Sequence, residues 1–306
     1  MAMSLQASRN RPGMGVLLII TMTVCFASMD TLVRLLGGTL PVLLLLTVRY
    51  AVQAGVMALW LASSRGHSLR TAHPRFQMLR GVLLLITSAM LFFGVQHMPV
   101  PEFTAINMLT PVLVTLLATW IFHERVSRLR WFLVFGGFAG ALVVIRPGSG
   151  LFGWAVLFPL VAAITYASFQ LLTRRLAGLE SPYTTHFWTG AVGTGLMLPL
   201  LLASGIDLPV VWAATPASAL WLMLAIGVLG TAGHLLLILA LGMAPAATLM
   251  PYVYLQIGVA AALGWWLFEQ LPDLWAWTGM AIISVCGAAS AWLNLRGSLS
   301  ASEKVS

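Results

Sequence analysis

The sequence predicts an all-α integral membrane protein of ten transmembrane helices, arranged as two inverted five-helix repeats. Composition is the first reason. Of 306 residues 60% are hydrophobic and only 8% are charged, where a soluble domain carries about 25% charged residues. Too few polar groups remain to cover a soluble surface, whereas a bilayer presents hydrocarbon as solvent. The second reason is ten apolar runs, each near the length of about 20 residues that a spanning helix needs. The third is weak similarity between the two halves of the chain.

The runs cover residues 14–36, 41–63, 77–97, 101–122, 128–146, 151–173, 183–203, 217–241, 246–268 and 272–295. Short connections separate them, several marked by Gly37-Gly38, Pro41, Pro99 to Pro101, Pro147-Gly148, Pro182, Pro245 and Pro272. Proline is tolerated in a first helical turn because that N–H has no intrahelical partner. The first run follows Arg9 and Arg11 but is long for a signal peptide, and no small-residue cleavage site follows it, so it reads as a retained helix. The organisation is then a tail at 1–13, repeats at 14–146 and 151–295, and a tail at 296–306.

Net charge is +8. Nucleic acid is not the partner this implies, because the basic residues sit in gaps between apolar runs, where they orient the chain. With a cytoplasmic N-terminus, that side holds Arg9, Arg11, Arg65, Arg70, Arg75, Arg80, Arg125, Arg128, Arg130, Arg174, Arg175, Arg296 and Lys304, and the other side only Arg34 and Arg146. The split of 13 to 2 puts both termini in the cytoplasm. The arginine bias (Lys304 is the one lysine) suggests a GC-rich bacterial genome, hence a bacterial inner membrane. Cys25 and Cys286 lie in apolar runs and form no CxxC motif, so no metal or redox centre is expected.

At an offset of 140, Ala27, Ser28, Leu32 and Arg34 match Ala167, Ser168, Leu172 and Arg174. At 145, Met98, Trp120 and Glu124 match Met243, Trp265 and Glu269. A five-helix unit is odd, so the second copy enters the membrane upside down. That architecture places a substrate site near the midplane and supports alternating access.

Several of these residues carry a family resemblance: Asp30, Arg49-Tyr50, Pro111, Glu124, Gly136, Gly137 and Gly140 in the first half, and Gly233-His234, Pro251, Tyr254-Leu255-Gln256, Gly264, Phe268-Glu269, Gly279 and Gly287 in the second. The pattern resembles the drug/metabolite transporter superfamily in its ten-helix EamA-type branch. The second half is similar to a branch with riboflavin and S-adenosylmethionine importers. The resemblance implies a small organic metabolite as substrate. It leaves open amino-acid or drug export and a lipid-linked flippase.

Polar groups inside a bilayer are costly and mark candidate sites. Asp30 and Arg49 lie at about 9 and 12 Å depth from the same side, at 1.5 Å per residue, so an ion pair is expected. It would gate or couple transport, or simply hold two helices together. Asn107, Pro111, Tyr252 and Gln256 lie near the middle of two repeat-related helices and are expected to bind substrate. Prolines there free carbonyls toward a cavity. His234 and Trp188 are further candidates, with interhelical bonding or packing as the alternative for each. Tyr254 falls off the Tyr252/Gln256 face. Glu102 opens a helix, as a cap first and a gating residue second. Glu124 and Glu269 end helices. Gly136 and Gly140 form a GxxxG spacing, which serves packing within the bundle or a homodimer. No P-loop, HExxH or GxSxG pattern occurs, so neither direct use of ATP nor a membrane-embedded enzyme is favoured, and no cofactor is expected.

Overall fold

The computed structural model describes residues 12–64, 68–110, 112–114, 117, 128–146, 149, 151–176, 179–243, 249 and 252–303. Pro111, Glu124, Pro251 and Trp120 lie outside the described residues. Those described form eleven α-helices: α1 (Pro12–Gly37), α2 (Val42–Ser63), α3 (Pro74–His97), α4 (Val100–Asn107), α5 (Arg128–Ile145), α6 (Leu157–Leu176), α7 (Pro182–Ala203), α8 (Leu208–Ala214), α9 (Ala217–Met243), α10 (Leu255–Phe268) and α11 (Leu274–Glu303). A helix bonds its own backbone, which hydrocarbon demands. Six helical stretches are long and apolar enough to cross a membrane, and four shorter ones, Val100–Val114, Trp131–Ile145, Leu255–Phe268 and Leu274–Ala289, are also apolar. In order they match the ten runs read from the sequence.

Three details differ. Helix α8 lies in what reads as a connection. It has seven residues, none buried, and is capped by Asp207, whose carboxylate accepts the Val210 N–H at 3.1 Å. Helix α11 continues through Glu303, past residue 295, because no proline follows to stop it. Arg80 does not belong to a cytoplasmic loop. It sits six residues into α3 and is 2% exposed, so the basic split is 12 to 2.

Each helix of the first five has its main partner later in the chain. Helix α1 packs on α9, α2 on α7, α3 on α6, α4 on α10 and α5 on α11. Small residues set two of these distances. A Cβ on Gly140 would lie 2.9 Å from the Gly279 carbonyl oxygen, and one on Gly190 would lie 2.7 Å from the Ala54 nitrogen. The GxxxG pair Gly136/Gly140 is therefore used inside the molecule, against Cys286 and Gly279 of α11. The outer surface is apolar, with Leu59, Phe132, Phe135, Trp221, Trp266 and Val285 at 64–75% exposure, as a lipid-facing surface requires.

Helices α4 and α10 are broken at corresponding places. Turn residues interrupt helical structure at Met108 and Leu109, and again at Tyr254, and Leu109 and Tyr254 are 145 apart. A proline at 111 has no N–H to give the carbonyl of residue 107. That oxygen accepts the Thr110 hydroxyl instead, at 2.7 Å.

Candidate functional site

The two ends of the bundle are tied by polar contacts. At the end where α1 begins, the Glu180 carboxylate accepts from the Thr71 hydroxyl at 2.6 Å and the Ala72 N–H at 2.8 Å. The Thr184 hydroxyl donates to the Ser68 carbonyl. At the opposite end, Arg34 donates to the Met98 carbonyl and to Gln270 Oε1, and Arg146 pairs with Asp273 at 2.7 Å. Glu102 lies at this end too, 7% exposed with Oε2 unbonded. The Glu269 backbone closes α10 in the left-handed region (φ 55°).

Between the ends lies a buried polar cluster on α1, α2, α7 and α9. Gln53 Nε2 donates to the His186 carbonyl at 3.0 Å and faces His186 Nδ1 at 3.2 Å. The His186 and His234 rings lie 6.1 Å apart, and Phe26 meets His234 edge-on at 4.8 Å. His234 Nδ1 bonds the Gly230 carbonyl at 2.9 Å. Gly230 also brings in Arg49, because a Cβ there would stand 3.2 Å from Arg49 Nε and 2.9 Å from Met29 Sδ. The Arg49 guanidinium lies 4.5 Å from the Tyr50 ring centre, and the Tyr50 hydroxyl bonds Ser88.

Many polar atoms of this cluster have no hydrogen-bond partner. They include Asp30 Oδ1, Arg49 Nε and Nη1, Gln53 Oε1, His186 Nε2 and His234 Nε2. Their residues are at most 7% exposed. Buried polar atoms are otherwise almost always bonded, so such a concentration makes this cluster the candidate site. The expected Asp30–Arg49 ion pair does not close. Both are 1% exposed, yet the one salt bridge among the described residues is Arg146–Asp273.

A second, smaller group lies on α4 and α10. Asn107 is 8% exposed with Oδ1 unbonded, and Gln256 is 6% exposed. The two tyrosines are placed the other way round from the expectation. Tyr252 is 39% exposed, and Tyr254 is the buried one, packed against Gly287. Trp188 does not face the cluster. Its indole donates to the Leu69 carbonyl at 2.9 Å, in the connection between α2 and α3.

Sequence reasoning passed over Gln53, Arg80 and His186. Arg80 Nε donates to Thr173 at 2.7 Å, its Nη1 to Thr189 at 2.6 Å and to the Thr185 carbonyl at 2.9 Å, and its guanidinium covers the Phe169 ring at 4.5 Å. The signal available was position. Each is a polar residue inside an apolar run.

A bundle of apolar helices that encloses a half-bonded polar cluster and has polar ties at both ends defines a membrane transporter rather than an enzyme. The chain belongs to the EamA-like transporter family, which it matches over residues 13–146 and 153–292, so its halves bear the marks of a duplication. It is 30% identical over 216 residues to a riboflavin transporter of Rhizobium johnstonii, covering 71% of this chain and 70% of that one. It is 27% identical to an S-adenosylmethionine uptake transporter of Rickettsia prowazekii over 71% of each. A pseudopaline exporter of Pseudomonas aeruginosa is 26% identical over 90% of this chain and 95% of its own. A solved crystal structure covers 93% of this chain with a TM-score of 0.63 and 20% identity, a likeness of fold.

Proposed function

We propose that the chain is a secondary transporter of a small organic metabolite in a bacterial inner membrane. It crosses that membrane ten times, with both termini cytoplasmic. The observation that carries the reading is the orphaned polar cluster, to which Asp30, Arg49 and Gln53 come from the first family-matched segment and His186 and His234 from the second. A site shared by two units is exposed to alternate sides when they rock against each other. The helix pairing supports two inverted five-helix repeats. Exchanging each spanning helix with its counterpart five spans on turns the α1–α9 pair into the α6–α3 pair and leaves α2–α7, α4–α10 and α5–α11 unchanged. The breaks at Leu109 and Tyr254 fit the same exchange, with Asn107 and Gln256 beside them. The 12 to 2 basic split supports the orientation.

The relatives suggest a vitamin such as riboflavin, or S-adenosylmethionine, as cargo. An exporter is also among the relatives, and a secondary carrier follows the gradients imposed on it, which keeps export in view. The test is uptake of labelled riboflavin and S-adenosylmethionine into sealed liposomes holding the purified chain, with and without imposed pH gradients. Saturable uptake of one solute, blocked by its unlabelled form, is expected. Protein-independent flux for both, and for a wider panel of amino acids and nucleosides, would refute the reading.

A further inference from the structure

We infer that residues 68–73 form a strap at the cytoplasmic end of the bundle, that Glu180 is its latch, and that the strap lets go whenever the polar cluster opens to the cytoplasm. The inference rests on the transport reading and the orientation given above. Residues 68–73 lead from α2 into α3, and none of them is buried. A segment with no buried side chain has little apolar packing to hold it, so its hydrogen bonds decide whether it is open or closed. Those bonds converge on one carboxylate and one helix. Glu180 Oε1 accepts from the Thr71 hydroxyl at 2.6 Å, the Ala72 N–H at 2.8 Å and the His73 N–H at 3.2 Å. From α7, the Thr184 hydroxyl donates to the Ser68 carbonyl at 2.6 Å and the Trp188 indole to the Leu69 carbonyl at 2.9 Å. Behind the strap, Gln77 is buried and donates to Thr185 at 3.3 Å. His186 of the polar cluster follows in the chain at once.

The repeat supplies a counterpart for comparison. Exchanging the halves turns this segment into the connection from α7 to α9, at the opposite end, and turns the start of α7 into the start of α2. The two helices begin alike, with Pro182 opening α7 and Pro41 preceding α2. Their fastenings are unlike. Among the described residues, the side chains of the α7–α9 connection bond only locally: Ser204 to Leu201, Asp207 to Val210 and Thr215 to Val211. Before α2, Thr39 bonds Leu36. None of these bonds crosses from one connection to the other. The ties that do exist at that end, through Arg34 and Arg146, reach Met98, Gln270 and Asp273 instead. The cytoplasmic end is therefore shut by a set of polar bonds that its counterpart lacks. A carboxylate that accepts three donors is a strong fastening, yet all three depend on one side chain and are released together.

The test places one thiol behind the strap, Gln77→Cys, in the full chain with Cys25→Ala and Cys286→Ala. Inverted membrane vesicles, whose outward face is the cytoplasmic one, are treated with a membrane-impermeant maleimide. Glu180→Ala should speed labelling about tenfold, the effect of one charged hydrogen bond. Glu180→Gln, which keeps an acceptor without the charge, should speed it less. In right-side-out vesicles the rate should not rise. Unchanged labelling, or an equal rise from both faces, would mean that Glu180 merely supports the fold, and overturns the inference. A second arm does not depend on removing the latch. Thr71→Cys and Glu180→Cys, in the same alanine background, are bridged by a reducible bifunctional thiol reagent. Liposome uptake of riboflavin or S-adenosylmethionine should stop on bridging and return on reduction. Uptake that continues across the bridge overturns the strap. If the unbridged protein takes up neither solute, the transport reading fails, whereas the labelling needs no solute and decides the strap by itself.

Discussion

Arg49 and Arg80 are both buried arginines on neighbouring helices, and their surroundings differ in one respect. Arg80 meets two threonine hydroxyls, a backbone carbonyl and the Phe169 ring. Arg49 covers the Tyr50 ring but leaves Nε and Nη1 unbonded. Burying an unsatisfied group costs about 1–3 kcal/mol, more for a charge, so a fold that merely needed a cation would bond it as it bonds Arg80. The contrast separates a side chain that holds helices together from one held ready for another molecule.

The largest expected effect comes from exchanging the roles. Arg80→Met should destabilise the purified protein by about 3 kcal/mol, because it removes charged hydrogen bonds and leaves their acceptors buried. Arg49→Met should leave unliganded stability unchanged or higher while abolishing transport. Unfolding curves read beside liposome uptake decide the matter, and the reverse pattern would erase the distinction. Gln53 is an intermediate case, since its nitrogen ties α2 to His186 while its Oε1 is free. For Gln53→Met the expectation is a loss of about 1 kcal/mol of stability together with several-fold weaker binding.

Trp188 tests the comparison from outside the cluster. Trp188→Phe forfeits one partly exposed hydrogen bond to Leu69 and should cost at most about 1 kcal/mol, with substrate affinity unaltered in a binding titration. A marked affinity loss would return Trp188 to the site. The smallest effect concerns the salt bridge at the opposite end. The Ala276 N–H, and then Arg146, hold the Asp273 carboxyl below its ordinary 3.8. A depressed native value stabilises above the ordinary value and is lost as pH falls through the native one. The Arg146–Asp273 tie should therefore persist through neutral pH and loosen only below about pH 4. Thermal unfolding of Asp273→Asn against the parent, from pH 3 to 7, should show the two converge at the acid end.

Reading the chain by hydropathy found ten apolar segments and the membrane class, and the described helices of the bundle fall where those segments lie. The physical reason is that the bilayer acts on each segment separately, through its length and polarity, so the signal is local. The buried polar positions Asp30, Arg49, Asn107, His234 and Gln256 were legible for the same reason, as expensive residues in apolar runs. Their partners were not, because partnership depends on which faces meet across helices far apart in sequence. Only the packing of α2 on α7 and α9 brings Gln53 and His186 beside Arg49 and His234, gives Arg80 a full set of acceptors, and withholds a salt bridge from Asp30 and Arg49. Only the packing of α10 on its neighbours buries Tyr254 against Gly287 and leaves Tyr252 exposed. A charge in an apolar run is visible in one dimension, but whether it is bonded or left free is decided in three, by the neighbouring helices.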